Sequence, residues 1–307
     1  MAKSRPLPAL RYLVILSCVL LFTGERHVGA DDTATYQAAL EEWHRHRTDR
    51  LTAEDGWLSL IGLFWLDEGV NHLGSDPDSD VALPASKAPP RAGTLTLEGD
   101  RIHLEVAAGV FITQEGAPLS AVDLAVDTSG NPTILDLGDL QFYVIERSGR
   151  YGLRVRDRNH PARFDFPGIE TFPIDLKWRI AGHLETYDPP RTIPIPNVLG
   201  QVNHQESPGT AVFEVAGQSY RLDALPGPNG SLYLIFADGT SGRESYGGGR
   251  FLYSEPVAAD GAVILDFNKA YNPPCAFTDY ATCPLPPRQN KLSVPIDAGE
   301  KNYGRHH

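Results

Sequence analysis

From Trp57 onward, apolar and polar residues alternate with a period of two. Leu95 and Leu97 alternate with Thr94, Thr96 and Glu98; Ile102, Leu104 and Val106 with His103 and Glu105; Leu153 and Val155 with Arg154 and Arg156. Successive side chains on a strand point to opposite faces, so this pattern writes half-buried strands and excludes long core helices over most of the chain. Turn residues recur at short intervals, at Gly99-Asp100, Gly116, Gly130-Asn131-Pro132 and Ser148-Gly149. That rhythm predicts an antiparallel sandwich. Farther on, Leu176, Trp178, Ile180 and Leu184 alternate with Lys177, Arg179 and His183. Tyr220 and Leu222, the run 232–236 and the stretch 262–267 supply further strands. The 232–236 run has no polar face, which predicts a strand covered on both sides.

The amino-terminal region breaks this rule. Tyr36, Leu40, Trp43 and Leu51 fall near helical spacing with charged residues between them, which predicts one amphipathic helix over 35–52, capped by Thr33 or Thr35. His44 and His46, two apart on that helix, diverge too widely to chelate one metal and are expected to be solvated. Ahead of the helix, Lys3, Arg5 and Arg11 precede an apolar run from Tyr12 to Phe22 and the sequence Val28-Gly29-Ala30. This is the three-part layout of a secretory signal peptide, too short for the roughly 20 residues of a spanning helix, with cleavage expected after Ala30. A lipid anchor on Cys18 is the alternative, although Val19 to Phe22 continue the apolar run beyond it.

Cleavage removes four basic residues and one acidic residue, leaving 23 basic and 38 acidic residues and a net charge of −15. So acidic a chain repels phosphate backbones and anionic lipid surfaces, so no nucleic-acid partner is expected, and because no later segment approaches a membrane span, no stable membrane insertion is expected either. The expected compartment is periplasmic or extracellular. Cys275 and Cys283 alone remain after cleavage, and an even count in an oxidising compartment predicts one disulfide. A zinc pair is the alternative, but a closed zinc site needs four ligands.

The expected organisation is therefore a signal peptide over 1–30, a helical segment over 31–56, a β-sandwich over 57–158 and a second β-sheet or barrel-like unit over 159–307. Within 67–157, the run EGVNHLGSDPDSDVALP (68–84), the strand pair 94–106 and LGDLQFYV (137–144) together resemble a forkhead-associated (FHA) domain. Domains of that family grip phosphothreonine through an Arg, a Ser and His, and an Asn at set places. Here Ser75 follows Gly74, the next loop reads Ala88-Pro89-Pro90-Arg91-Ala92-Gly93, and Glu115 precedes Gly116. The resemblance thus implies the fold without the phosphate-reading residues.

The segments FADGTSGRESYGGGRFLY (236–253) and LDFNKAYNPPCAFTDYATCPLPPRQNKLSVPIDAGEK (265–301) resemble the hallmark block of domain-of-unknown-function family 1684, which carries no established activity to transfer. Residues 268–299 form a stretch of 32 with six prolines and little periodicity. A loop that long is functional or disordered, and Tyr271, Phe277, Tyr280, Leu285 and Leu292 argue for a folded cover.

Two polar groups are candidates to converge beneath that cover. Asp238, Thr240, Tyr246 and Arg250 flank Gly247-Gly248-Gly249, and Asp266, Asn268, Tyr271 and Asn272 lead into the loop. Glycine amides beside an arginine can cradle an anion; the alternative is a flexible hairpin with Arg250 paired to Asp266. No Lys-Ser or Lys-Thr follows the glycines, so no nucleotide loop is expected, and His160, His183 and His204 are ordinary hydrogen-bonding residues unless they meet in space. No cofactor is expected. Three functions remain open: a small-molecule or partner-binding protein, a hydrolase or lyase using Asp238, Asp266 or Glu206, and a structural member of an envelope complex. A close carboxyl pair in a deep pocket would mark the enzyme.

Overall fold

The computed structural model describes Met1 and residues 30–304. The signal segment and Cys18 lie outside the described residues. Helix α1 runs Ala30–Thr52, so it starts before both expected caps, and Thr33 and Thr35 lie inside it. Its apolar residues dock on β structure, with Leu40 and Leu51 fully buried. No helix among the described residues is long and apolar enough to cross a membrane.

The first β unit contains β1 (Leu60–Trp65), β2 (Gly69–Gly74), β3 (Val81–Ala82), β4 (Gly93–Glu98), β5 (Arg101–Val106), β6 (Ile112–Gln114), β7 (Ala117–Leu119), β8 (Ala121–Asp123), β9 (Leu135–Leu137), β10 (Leu140–Arg147) and β11 (Arg150–Asp157). They form two sheets, β1-β11-β10-β9-β6-β7 and β3-β2-β4-β5-β8, antiparallel throughout except for β2 with β3. The alternating residues meet between them: Leu73, Leu95, Ile102 and Leu104 from one sheet pack with Ile112, Phe142, Val144 and Leu153 from the other. A short helix, α2 (Pro161–Phe164), follows in the proline- and aromatic-rich link.

The second β unit is one six-stranded antiparallel sheet of β12 (Arg179–Pro196), β13 (Val202–Val215), β14 (Gln218–Pro226), β15 (Leu232–Phe236), β16 (Arg250–Tyr253) and β17 (Ala262–Asp266), ordered β16-β15-β14-β13-β12-β17. Its edge strands β16 and β17 touch, so the sheet curls into a half barrel. Leu232, Leu234 and Phe236 of β15 face the core with Phe213, Leu222 and Phe267, while Ile235 and Tyr233 face a second cluster with Phe251, Ala281 and Cys283. Both faces of that strand are covered, as its unbroken apolar run requires.

The long loop supplies much of that cover. Leu292, Ile296 and Ala298 close one face and Ala281 and Cys283 the other. It is pinned at the backbone by Ala237 N–H to the Asn290 carbonyl (3.0 Å), Leu292 N–H to the Ala237 carbonyl (2.8 Å) and a reciprocal pair between Phe251 and Tyr271. The expected disulfide is not formed here: Cys275 and Cys283 are adjacent free thiols. Each backbone N–H donates to the other residue's sulfur, at 3.1 and 3.3 Å.

Candidate functional site

The residues flanking the glycine turn do not open onto solvent. Arg250, the first residue of β16, is fully buried and pairs with Asp238 at 2.8 Å, both side chains completely covered. Its two terminal nitrogens also reach the carbonyls of Ala298, Ile296 (3.0 Å) and Glu300 (3.3 Å), while Nε is buried with no hydrogen-bond partner among the described residues. Asp238 also accepts from Thr240 N–H (2.8 Å), the Thr240 hydroxyl (2.7 Å) and Ile296 N–H (3.2 Å). A charge so deeply buried persists only when paired and hydrogen-bonded. The guanidinium is thereby tied to the chain's own C-terminal carbonyls, which corrects the expected anion cradle and also the alternative pairing with Asp266. Gly249 sits at φ +84° under Pro286, whose Cγ would lie 2.4 Å from an added Cβ, so the glycine turn is packed beneath the loop. Tyr246 is half-buried with its ring against Gly248, and burial pushes its hydroxyl up.

The second group joins α1 to the loop. Asp266 accepts from the Tyr36 hydroxyl at 2.8 Å and from Asn268 at 3.3 Å, and the Asn268 amide also reaches that hydroxyl (3.0 Å) and the Asp175 carbonyl (2.9 Å). Burial and the Asp266 carboxylate push the Tyr36 hydroxyl far above its ordinary range. Glu300, fully buried, accepts from Arg47 Nε (2.9 Å) and Asn272 N–H (2.7 Å), while Arg47 also donates to the Asn272 carbonyl (2.7 Å). Burial holds the Glu300 carboxyl above the usual range in spite of Arg47. Arg47 lies 4.9 Å over the ring of Tyr271, which stacks on Tyr253.

The structure thus uses most of the predicted site residues as an internal clamp between helix, loop and sheet. Its missed members, Tyr36, Arg47 and Glu300, stand on the other side of contacts more than 200 residues long in sequence. His44 is also corrected: it is half-buried edge-on to Trp43, and burial lowers its basicity, whereas His46 is exposed beside Glu42. No three His, Cys, Asp or Glu side chains cluster as metal ligands among the described residues.

An open polar groove of about 580 Å³ lies instead on the outer face of the second sheet. Ladder register places Glu185 of β12 beside Thr210 of β13, and Thr210 beside Asp223 of β14, so three polar side chains form a row across three strands. Their neighbours Leu222 and Ala211 point into the core, as strand alternation demands. At the end of the row the β12–β13 ladder jumps from Thr186↔Gly209 to Arg191↔Ser207. The extra residues of β12 form a wide bulge, and bulges of this kind re-aim side chains. Tyr187 and Arg191, on either side of it, line the groove with the Arg191 guanidinium 4.2 Å over the Tyr187 ring.

The signature block completes this groove. Asn290 accepts from Asp223 N–H (2.8 Å) and donates to the Asp223 carbonyl (2.9 Å) and the Ile235 carbonyl (3.0 Å), locking the loop onto β14. Its neighbour Gln289 donates to the Asp223 carboxylate at 3.0 Å. The Tyr187 and Thr210 hydroxyls donate to the other carboxylate oxygen at 2.8 and 2.7 Å. Arg221 pairs with Glu185, and that guanidinium holds the Glu185 carboxyl below its usual range. The motif PPRQNK was the available sequence signal, but its strand partners are read only from the register.

Residues 164–301 match the family described as "Protein of unknown function (DUF1684)", a span that contains the groove, the loop and the sheet side of the clamp, but not Tyr36 and Arg47 on α1. The chain belongs to the DUF1684 family. An uncharacterized protein from gene locus rrnAC0354 of Haloarcula marismortui, solved by solution NMR, is 33% identical over 45% of this chain and 78% of its own, with a TM-score of 0.38. Two FHA structures match 31% of the chain at 21% identity and a TM-score of 0.20. One comes from an analysis of phosphothreonine-dependent FHA domain interactions, covering 92% of that chain. The other is the FhaA FHA domain complexed with the intracellular domain of Rv3910, covering 97%. No curated protein matches.

The Ser75 hydroxyl donates to the Ala88 carbonyl at 2.9 Å, and Glu115 occupies a turn at φ 51°.

Proposed function

We propose that this DUF1684 protein is exported and binds a small polar molecule or an envelope partner through its second β unit, without transforming it. The observation that carries the reading is the outer-face groove, in which a row of polar side chains on three paired strands is braced by the family's own signature residues. Sites built on paired strands hold their geometry better than sites on loops. The alternative, a carboxylate-dependent hydrolase or lyase, draws on Asp238, Asp266 and Glu206. Asp238 is bound to Arg250, Asp266 to Tyr36, and Glu206 is exposed on the β12–β13 arm, so these three carboxylates serve different places.

Export rests on the sequence over 1–30, and with it the oxidation of Cys275 and Cys283 to a disulfide once the chain leaves the cytosol. The test is native mass spectrometry of protein recovered from the exporting compartment of its own host, with N-terminal sequencing. Expected are a chain beginning at Asp31, a mass two units below the dithiol form, and a retained small-molecule adduct. An uncleaved terminus, a lipid on Cys18 or two free thiols would overturn the export reading. Measurable turnover of a sugar or envelope substrate by the purified protein would overturn the non-catalytic one.

A further inference from the structure

The proposed binding role leaves the ligand's chemistry open, and the groove itself narrows it. We infer that the groove around Asp223 takes a neutral, polyhydroxylated ligand, a saccharide or related polyol. This rests on the binding reading and names its ligand class.

Four charged side chains line the groove. Arg221 and Glu185 neutralise one another, and Asp223 and Arg191 carry opposite charges, so the groove as a whole has no formal charge to attract an ion. Its wall is also short of apolar surface, because the Tyr187 ring, the only aromatic lining it among the described residues, is covered on one side by Arg191. A lipid or an aromatic ligand would find little to bury against. What the groove does offer is donors and acceptors side by side. Asp223 accepts three hydrogen bonds, from Tyr187, Thr210 and Gln289, which leaves one of roughly four lone-pair positions on its carboxylate unfilled. Next to it, the Gln289 amide oxygen and the exposed Arg191 fork make no hydrogen bond among the described residues.

A hydroxyl both donates and accepts, so adjacent hydroxyls on one ring can donate to Asp223 or Gln289 while accepting from Arg191. An anion would satisfy Arg191 but face two carboxylates, and a cation would meet the converse. The groove is also rigid before a ligand arrives: Tyr187 and Thr210 hold the Asp223 carboxylate, and Asn290 holds its backbone on both sides. A preorganised site of this kind loses little entropy on binding a rigid sugar ring.

The test is amide NMR titration of the full mature protein with neutral glucose, galactose and N-acetylglucosamine oligomers, and separately with orthophosphate and acetate. The expected result is saturable, saccharide-induced shifts centred on Thr186, Thr210, Asp223 and Gln289. Arg191→Ala and Gln289→Ala, both at the surface, are each expected to weaken binding at least tenfold with unchanged thermal midpoint. Saturable binding of the anions alone at these residues overturns the ligand class and leaves a binding protein, and saturable binding of saccharides at another face overturns the groove as their site. No shift at the groove with any of these probes overturns the saccharide inference, and a co-purified ligand mapping elsewhere removes the groove from the binding reading as well.

Discussion

Arg250 illustrates how a residue type that suggests a ligand site becomes a structural one. Its four hydrogen bonds end on Asp238 and on carbonyls of the last turn of loop, so losing either partner leaves an uncompensated charge in the core. Arg250→Ala and Asp238→Ala are each expected to cost about 3–5 kcal/mol in urea unfolding, the range for a broken buried pair. A loss below about 1 kcal/mol would refute the role. The two cysteines differ at the same scale. The bond from Cys283 holds the Cys275 thiol below its ordinary value, with buried Arg154 acting the same way, while that bond and burial push Cys283 far up. In the reduced protein, iodoacetamide is therefore expected to label Cys275 first, because the thiolate is the nucleophile. Faster labelling of Cys283, followed by peptide mapping, would contradict this.

The docking of α1 is set at the element scale by Tyr36, His44 and Arg47 on one face. Burial lowers the His44 pKa below its ordinary 6.5, against the opposing pull of Asp266, and its Nε2 is buried with no hydrogen-bond partner among the described residues. The unfolded chain therefore binds this proton more readily than the folded one, so stability is full above about pH 6.5 and is lost as pH falls below it. Urea midpoints measured at pH 7.5 and 5.5 are expected to fall with acidification, and to fall less in His44→Gln. Equal slopes in the two proteins would remove His44 from this role. The β12–β13 pair imposes a second element-scale demand. A Cβ on Gly209 would lie 2.3 Å from the Glu185 carbonyl oxygen and 2.9 Å from Thr186 Cα, directly beneath the bulge. Gly209→Ala is expected to destabilise by roughly 1–3 kcal/mol, as overpacking does, and to broaden the amide signals of Thr186 and Thr210. An unchanged unfolding midpoint would show that the strands can separate without cost.

Across the whole molecule, the loop from Asn268 to Asn290 ties the units together. Val198 N–H on the β12–β13 tip donates to the Cys283 carbonyl (3.0 Å), and Arg147 of the first unit donates to the Thr282 hydroxyl (2.9 Å). Because Asn272 and Asn290 anchor it at both ends, Cys275→Ser with Cys283→Ser is expected to leave this loop as protease-resistant as the rest of the chain. Rapid cleavage within 268–290 in that variant would mean that a disulfide, and not the asparagines, holds the loop. The sequence alone determined the β architecture, the two-faced burial of Leu232 to Phe236, the covering loop and the family, since alternation, unbroken apolar runs and a long ordered motif are local properties of the chain. Which polar residues face each other was decided only by tertiary structure. Asp238 and Arg250 are twelve residues apart, but their partners Ile296 and Ala298 come from the far end of the loop. The Glu185–Thr210–Asp223 row exists only through ladder register, and a one-residue slip would turn every one of those side chains into the core.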